Sequence, residues 1–161
     1  MANVRIKKIL YATDMSKPSV PALAYAARIA LCCGAELHCI HVLDLEHEFF
    51  IEGGYIAPLV LKAPLPTAQL KKKAGKELAR FMKKHLPSRC KVVDSKVILG
   101  KPFEGIIRYA RAKHMDMIVL GTHGHSALAS MLMGSVAEKV VRKARCAVLT
   151  VRHPKHKFVA P

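Results

Sequence analysis

Short aliphatic runs alternate with helix-spaced stretches along nearly the whole chain, and no other feature narrows the possible folds as much. Residues 6–13 form the first apolar run and read as a strand. Turn residues follow at 14–18, with Ser16 placed to cap a helix and Pro18 in its first turn. Val20, Leu23, Ala24, Ala27 and Leu31 recur at helical spacing, and Gly34 stops the helix. The cycle then repeats. Further strands are predicted at 36–43, 91–99, 116–120 and 147–152, and further helices at 67–86, 102–113 and 134–143. The helix at 67–86 sets Leu70, Ala74, Leu78, Phe81 and Met82 on one side and lysines on the other. Successive strands lie parallel only if a long crossover carries the chain back, and here each crossover holds a helix. The expected fold class is therefore α/β: an open, doubly wound, five-stranded parallel sheet with helices on both faces. The common orders of such a sheet are 3-2-1-4-5 and 2-1-3-4-5.

With 161 residues the chain is expected to be a single domain over 1–161, burying roughly 70% of its unfolded surface. Two connections are too long for an ordinary loop. Residues 44–66 hold Phe49, Phe50, Tyr55, several glycines and Pro58, Pro64 and Pro66, and read as a mobile loop with some contact role. Residues 122–133 are the second. The best apolar run, 22–33, falls short of the ~18 residues of a membrane helix and is broken by Arg28. The start of the chain lacks the apolar length and cleavage site of a secretory leader, so a cytoplasmic location is expected. Five cysteines, an odd number without a C-x-x-C pair, argue against a disulfide framework or zinc motif. A net charge of +16 favours anionic partners, nucleic acid among them. The cations are nonetheless spread along helix faces and into a basic tail at 153–161.

The fourth strand runs into Gly121-Thr122-His123-Gly124, and Gly134-Ser135 follows, giving G-x2-G-x9-G-S. Glycines let a backbone approach a ligand closely and reach positive φ. Gly134-Ser135 opens a helix, whose first N–H groups and dipole favour an anion. Ser135 and Glu138 also match a capping box, so the same residues read equally as a plain turn and cap. With order 3-2-1-4-5 the strand sequence reverses between strands one and four, and ligands bind outside the carboxyl ends there. That crevice would be lined by Ala12, Thr13 and Asp14 on one side and by 121–124 on the other. Asp14 can accept hydrogen bonds from a ribose or an adenine edge, or cap the turn it sits in.

There is no G-x-x-x-x-G-K-[ST], and no G-x-G-x-x-G after the first strand, which argues against a P-loop or a dinucleotide fold. Thr122-His123-Gly124-His125 matches the T-x-G-H of nucleotidyltransferases, but there the signature follows the first strand, not the fourth. Ala12-Thr13-Asp14, His41-Val42, Gly121-x-x-Gly124 and Gly134-Ser135 together resemble the ATP-binding branch of the universal stress protein family. The resemblance runs from Lys7 to Arg152. It implies an adenine nucleotide alpha hydrolase-like sheet of order 3-2-1-4-5, a homodimer, and ATP or AMP held between the first and fourth strands. It implies that Ala12, Thr13, Asp14 and the Val42 backbone lie at the adenosine end. Gly121, His123, Gly124, Gly134, Ser135 and Val136 would lie along the ribose and phosphates, where Mg2+ can accompany them, and Leu120 would join the nucleotide-binding residues. Many relatives have proline where this chain has Ala12.

Hydrolysis needs a positioned water and charge stabilisation at the γ-phosphate. No catalytic base stands out, and no metal set is assigned. His38 and His41, three apart on a strand, face opposite sides. His123 and His125 lie near the phosphates on this reading, and each reads equally as a backbone contact with a solvated ring. The expected function is thus a nucleotide-dependent binding or signalling protein in the stress response, with at most slow ATP hydrolysis. The alternatives are a true ATPase or phosphotransfer enzyme and a basic nucleic-acid-associated protein. The fifth strand, 146–152, reads as an apolar edge suited to pairing in a homodimer.

Overall fold

Five parallel strands form the sheet that the alternation predicts. The computed structural model describes residues 4–45, 67–123 and 133–152. The strands are β1 (Lys8–Ala12), β2 (Glu36–Leu43), β3 (Val92–Leu99), β4 (Met117–Gly121) and β5 (Ala147–Val151). Their order is β3-β2-β1-β4-β5. The helices among the described residues include α1 (Val20–Cys33), α2 (Thr67–His85), α3 (Pro102–Ala112) and α4 (Ser135–Lys143). Most of the loop at 44–66, part of 122–133 and the tail at 153–161 lie outside the described residues.

The chain moves outward from β1 to β3 and then returns to β4 and β5. Right-handed crossovers in opposite directions put their helices on opposite faces. On one face Leu23 and Ala27 of α1 and Ala74, Leu78 and Met82 of α2 pack on Ile9, Tyr11, Cys39 and Val119. On the other, Ile106 and Tyr109 of α3 and Ala137 and Val140 of α4 pack on Leu10, Ile40, Ile118 and Leu120. The central strand β1 is therefore buried on both sides, which is why every residue after Lys8, from Ile9 to Ala12, is a buried hydrophobic one. The edge strands β3 and β5 are less covered, with Val97 and Val151 their only buried residues.

Local chemistry sets the helix ends. Gly34 stops α1 at φ 63°, where a side chain would be strained. Pro18 stands in a single 3-10 turn, Lys17–Ser19, that precedes α1. Ser16 is the N-cap residue of that turn, but its side chain makes no cap bond. The capping box at α4 does not form. Gly134 is the N-cap residue, Ser135 is the first helical residue, and among the described residues no side chain caps the helix. Glu138 instead pairs with Arg142, 3.4 Å away on the next turn. The five cysteines are all free thiols, and no described helix is long and apolar enough to cross a membrane.

Candidate functional site

The strand order reverses at β1, whose neighbours are β2 and β4. Ala12 pairs with Leu120 in register, so the two strands end side by side. The segments leaving them turn to opposite faces and open a cleft of about 960 Å³ beyond the carboxyl ends. Ala12, Thr13 and Asp14 line it from β1, Val42 from β2, Leu120, Gly121 and His123 from β4, and Gly134, Ser135 and Val136 from α4. The structure brings those ten residues to one cleft. Gly124, the eleventh, lies outside the described residues, as do His125 and Ser126.

The turn after β1 is built from side-chain hydrogen bonds. Thr13 Oγ1 accepts the Met15 N–H at 2.9 Å. Asp14 Oδ1 accepts from the Ser16 N–H at 3.0 Å and the Ser16 hydroxyl at 2.6 Å. The Ser19 hydroxyl donates to Ser16 O at 2.7 Å and lies 2.9 Å from Thr13 Oγ1. These bonds force Met15 to φ 62°. A non-glycine residue held in the left-handed region costs about 1–3 kcal/mol, and such strain persists where the surroundings fix the turn. Two longer-range contacts do that. The Tyr11 hydroxyl donates to Ser19 O at 2.9 Å, and burial drives that phenol well above its usual range, so it stays a donor. His41 Nδ1 lies 2.9 Å from Thr13 O, and only a protonated nitrogen can bond a carbonyl, so Nδ1 carries the hydrogen.

The opposite wall is held by close backbone approach. A Cβ on Gly121 would stand 3.2 Å from His123 O and 3.4 Å from Pro18 O. One on Gly134 would stand 3.0 Å from Thr122 O, the atom that accepts the Gly134 N–H at 2.7 Å. Neither glycine has positive φ; Gly134 sits at φ −70°. Their role is proximity: Gly121 lets the end of β4 touch the turn before α1, and Gly134 lets the start of α4 return to Thr122. Thr122 Oγ1 and His123 Nδ1 lie 2.9 Å apart, and Thr122 N donates to Val151 O at 3.0 Å. The first turn of α4 therefore faces the cleft without a side-chain cap. Ser135, Val136 and Ala137 line it there, and their N–H groups have no carbonyl within the helix to pair with. An anion fits that arrangement, with Lys101 and Lys139 on the same rim.

Sequence reasoning missed four contributors: Tyr11, Met15, Ser19 and the histidine–carbonyl bond of His41. Ser19 offers the one readable signal, a hydroxyl just before a helix. The others depend on where β2 lies relative to β1. Gly105 was also missed. A Cβ there would stand 2.9 Å from both γ-methyls of Val42, so this glycine lets α3 sit against the strand residue that floors the cleft. A glycine inside a helical pattern is the available signal for such packing.

A profile of the universal stress protein family matches residues 5–152. A universal stress protein of Methanocaldococcus jannaschii is 33% identical over 149 residues, covering 92% of this chain and 84% of the relative. The solved structure of a second protein of that organism, also a universal stress protein, superposes with a TM-score of 0.74. The match has 26% identity and covers 94% of this chain and 99% of that one. A universal stress protein from Archaeoglobus fulgidus, solved in complex with dAMP, shares the fold at a TM-score of 0.53 and 19% identity. That match covers 92% of this chain and 100% of the other.

Proposed function

This chain belongs to the universal stress protein family, and we propose that it binds an adenine nucleotide, ATP or AMP, in the cleft between β1 and β4. The uncapped first turn of α4, opening beside Gly121 and Gly134, is the observation that carries this reading. The phosphates take the N–H groups of Ser135 and Val136, and His123 and Gly124 complete that end. Mg2+, where it accompanies a triphosphate, is held by phosphate oxygens and water. The adenosine lies toward Ala12, Thr13, Asp14 and the Val42 backbone, with Leu120 beneath it. The A. fulgidus relative solved with dAMP supports the same ligand class.

In this reading the protein is a cytoplasmic homodimer that joins through β5. It changes its partner contacts with the nucleotide bound in the stress response, and hydrolyses ATP slowly at most. Mass spectrometry of nucleotide released from purified, unsupplemented protein is the direct test, with intact ATP or AMP expected. Gly134→Val should abolish ATP binding in calorimetry while the far-UV circular dichroism stays native. Unchanged affinity in that folded variant overturns the site.

A further inference from the structure

The outer face of α2 carries cations in a single row. Lys72, Lys73, Lys76, Arg80, Lys83 and Lys84 are all exposed. At 3.6 residues per turn they fall within about 120° of arc and span ~18 Å along the axis. The opposite side of the helix is committed to the core through Ala74, Leu78 and Met82, with Leu70 and Phe81 beside them. Glu77 is the helix's one acid, and it is half-buried on the cleft margin. Among the described residues none of the six cations pairs with a carboxylate. Exposed Arg89 and Lys91 continue the positive surface toward β3.

We propose that this face of α2 docks the phosphate backbone of a duplex nucleic acid without reading its sequence. Three features select that occupant. A stable protein partner needs apolar or aromatic anchors at the centre of its footprint. The exposed large hydrophobic residues among those described are Val4, Tyr25, Leu31, Val93 and Val141, and none is on α2. On α2 itself the same lack leaves no exposed large apolar side chain to insert into a lipid surface and no exposed aromatic ring on which single-stranded bases could stack. What remains is a straight row of one sign, and a duplex offers phosphates in comparable density along its axis. Lys73 and Arg80 reach the cleft margin, but Lys72, Lys76, Lys83 and Lys84 do not line it, so these four are separable from the nucleotide reading.

The test is a salt titration of binding to a fluorescent, mixed-sequence duplex DNA, using the full chain. Six phosphate contacts predict a slope of log K against log salt of about −5, which is roughly a thousandfold loss between 50 and 200 mM. The triple variant Lys72→Gln, Lys76→Gln, Lys83→Gln should reduce the slope by about 3. A second triple, Arg108→Gln, Arg111→Gln, Lys143→Gln, removes the same charge from α3 and α4 on the other face and should leave the slope unchanged. Both proteins are first checked for native melting. Equal loss in the two triples means that net charge acts diffusely, and the proposal fails. It fails also if the wild type shows no salt-dependent binding, or binds phosphatidylserine vesicles but not duplex.

Discussion

On the proposed reading Asp14 serves two demands with one carboxylate. Its Oδ1 accepts two bonds from Ser16 and so shapes the turn after β1. A carboxylate has about four acceptor sites, so a nucleoside hydroxyl or amine can be recognised by the same group. Hydrogen bonds to a charged partner contribute about 1.5–3 kcal/mol, or roughly 10- to 150-fold in affinity. Asp14→Ala should therefore weaken ATP by that factor in calorimetry and inorganic triphosphate much less. Ser16→Ala separates the two tasks, because it removes the hydroxyl contact and keeps the carboxylate. If Ser16→Ala costs as much ATP affinity as Asp14→Ala, the aspartate acts by holding the turn alone. The glycines teach a related lesson at this scale. Gly121 and Gly134 stand out in the sequence as residues that must be glycine, but positive φ, one of the reasons that spacing suggests, does not apply. Backbone atoms crowd their missing side chains, and that crowding comes from segments distant in the chain.

Among the elements, α3 has the tightest seat. Gly105 is unfavourable in a helix by about 0.8–1.0 kcal/mol relative to alanine, so propensity alone makes Gly105→Ala stabilising. Contact with Val42 reverses that sign. The added Cβ would meet two stiff γ-methyls at 2.9 Å, and overpacking a core costs about 1–3 kcal/mol. Gly105→Ala should lower the denaturant midpoint and also weaken nucleotide binding, since Val42 lines the cleft. Adding Val42→Ala to it should recover part of the lost stability, a coupling that a double-mutant cycle reads directly. Additive losses would show that the helix seat does not depend on this contact. The same scale explains what was legible. Strand and helix positions follow from aliphatic runs and 3.6-residue spacing, and most boundaries agree to within a residue or two. The start of α4 agrees too, but its cap does not. Ser135 and Glu138 have the spacing of a capping box, but the Gly134–Thr122 bond places the serine one residue inside the helix. A tertiary hydrogen bond thus chose the cap, and with it left the first turn open to the cleft.

For the whole molecule, the sheet order makes both the cleft and the edge at β5. The glycine pattern and Asp14 were readable because they flank the reversal point of a topology that alternation already implied. The His41–Thr13 bond was not, since it joins residues 28 apart through strand pairing. The edge is the more testable consequence. Among the described residues β5 pairs with β4 alone. The Ala147 N–H donates to Asp116 O, and Val151 O accepts from Thr122, so residues 147, 149 and 151 turn their backbone groups toward β4. Val148 and Thr150 must then turn theirs outward, presenting donors and acceptors to a second copy. A two-fold axis beside β5 would join two sheets edge to edge in the proposed homodimer. Thr150→Pro removes one outward N–H and leaves the bonds to β4 intact, and edge strands tolerate proline. Light scattering after size exclusion should find the wild type dimeric and this variant monomeric with a native circular dichroism spectrum. A dimer that survives the proline does not use this edge, and a monomeric wild type means that β5 is covered from within the chain.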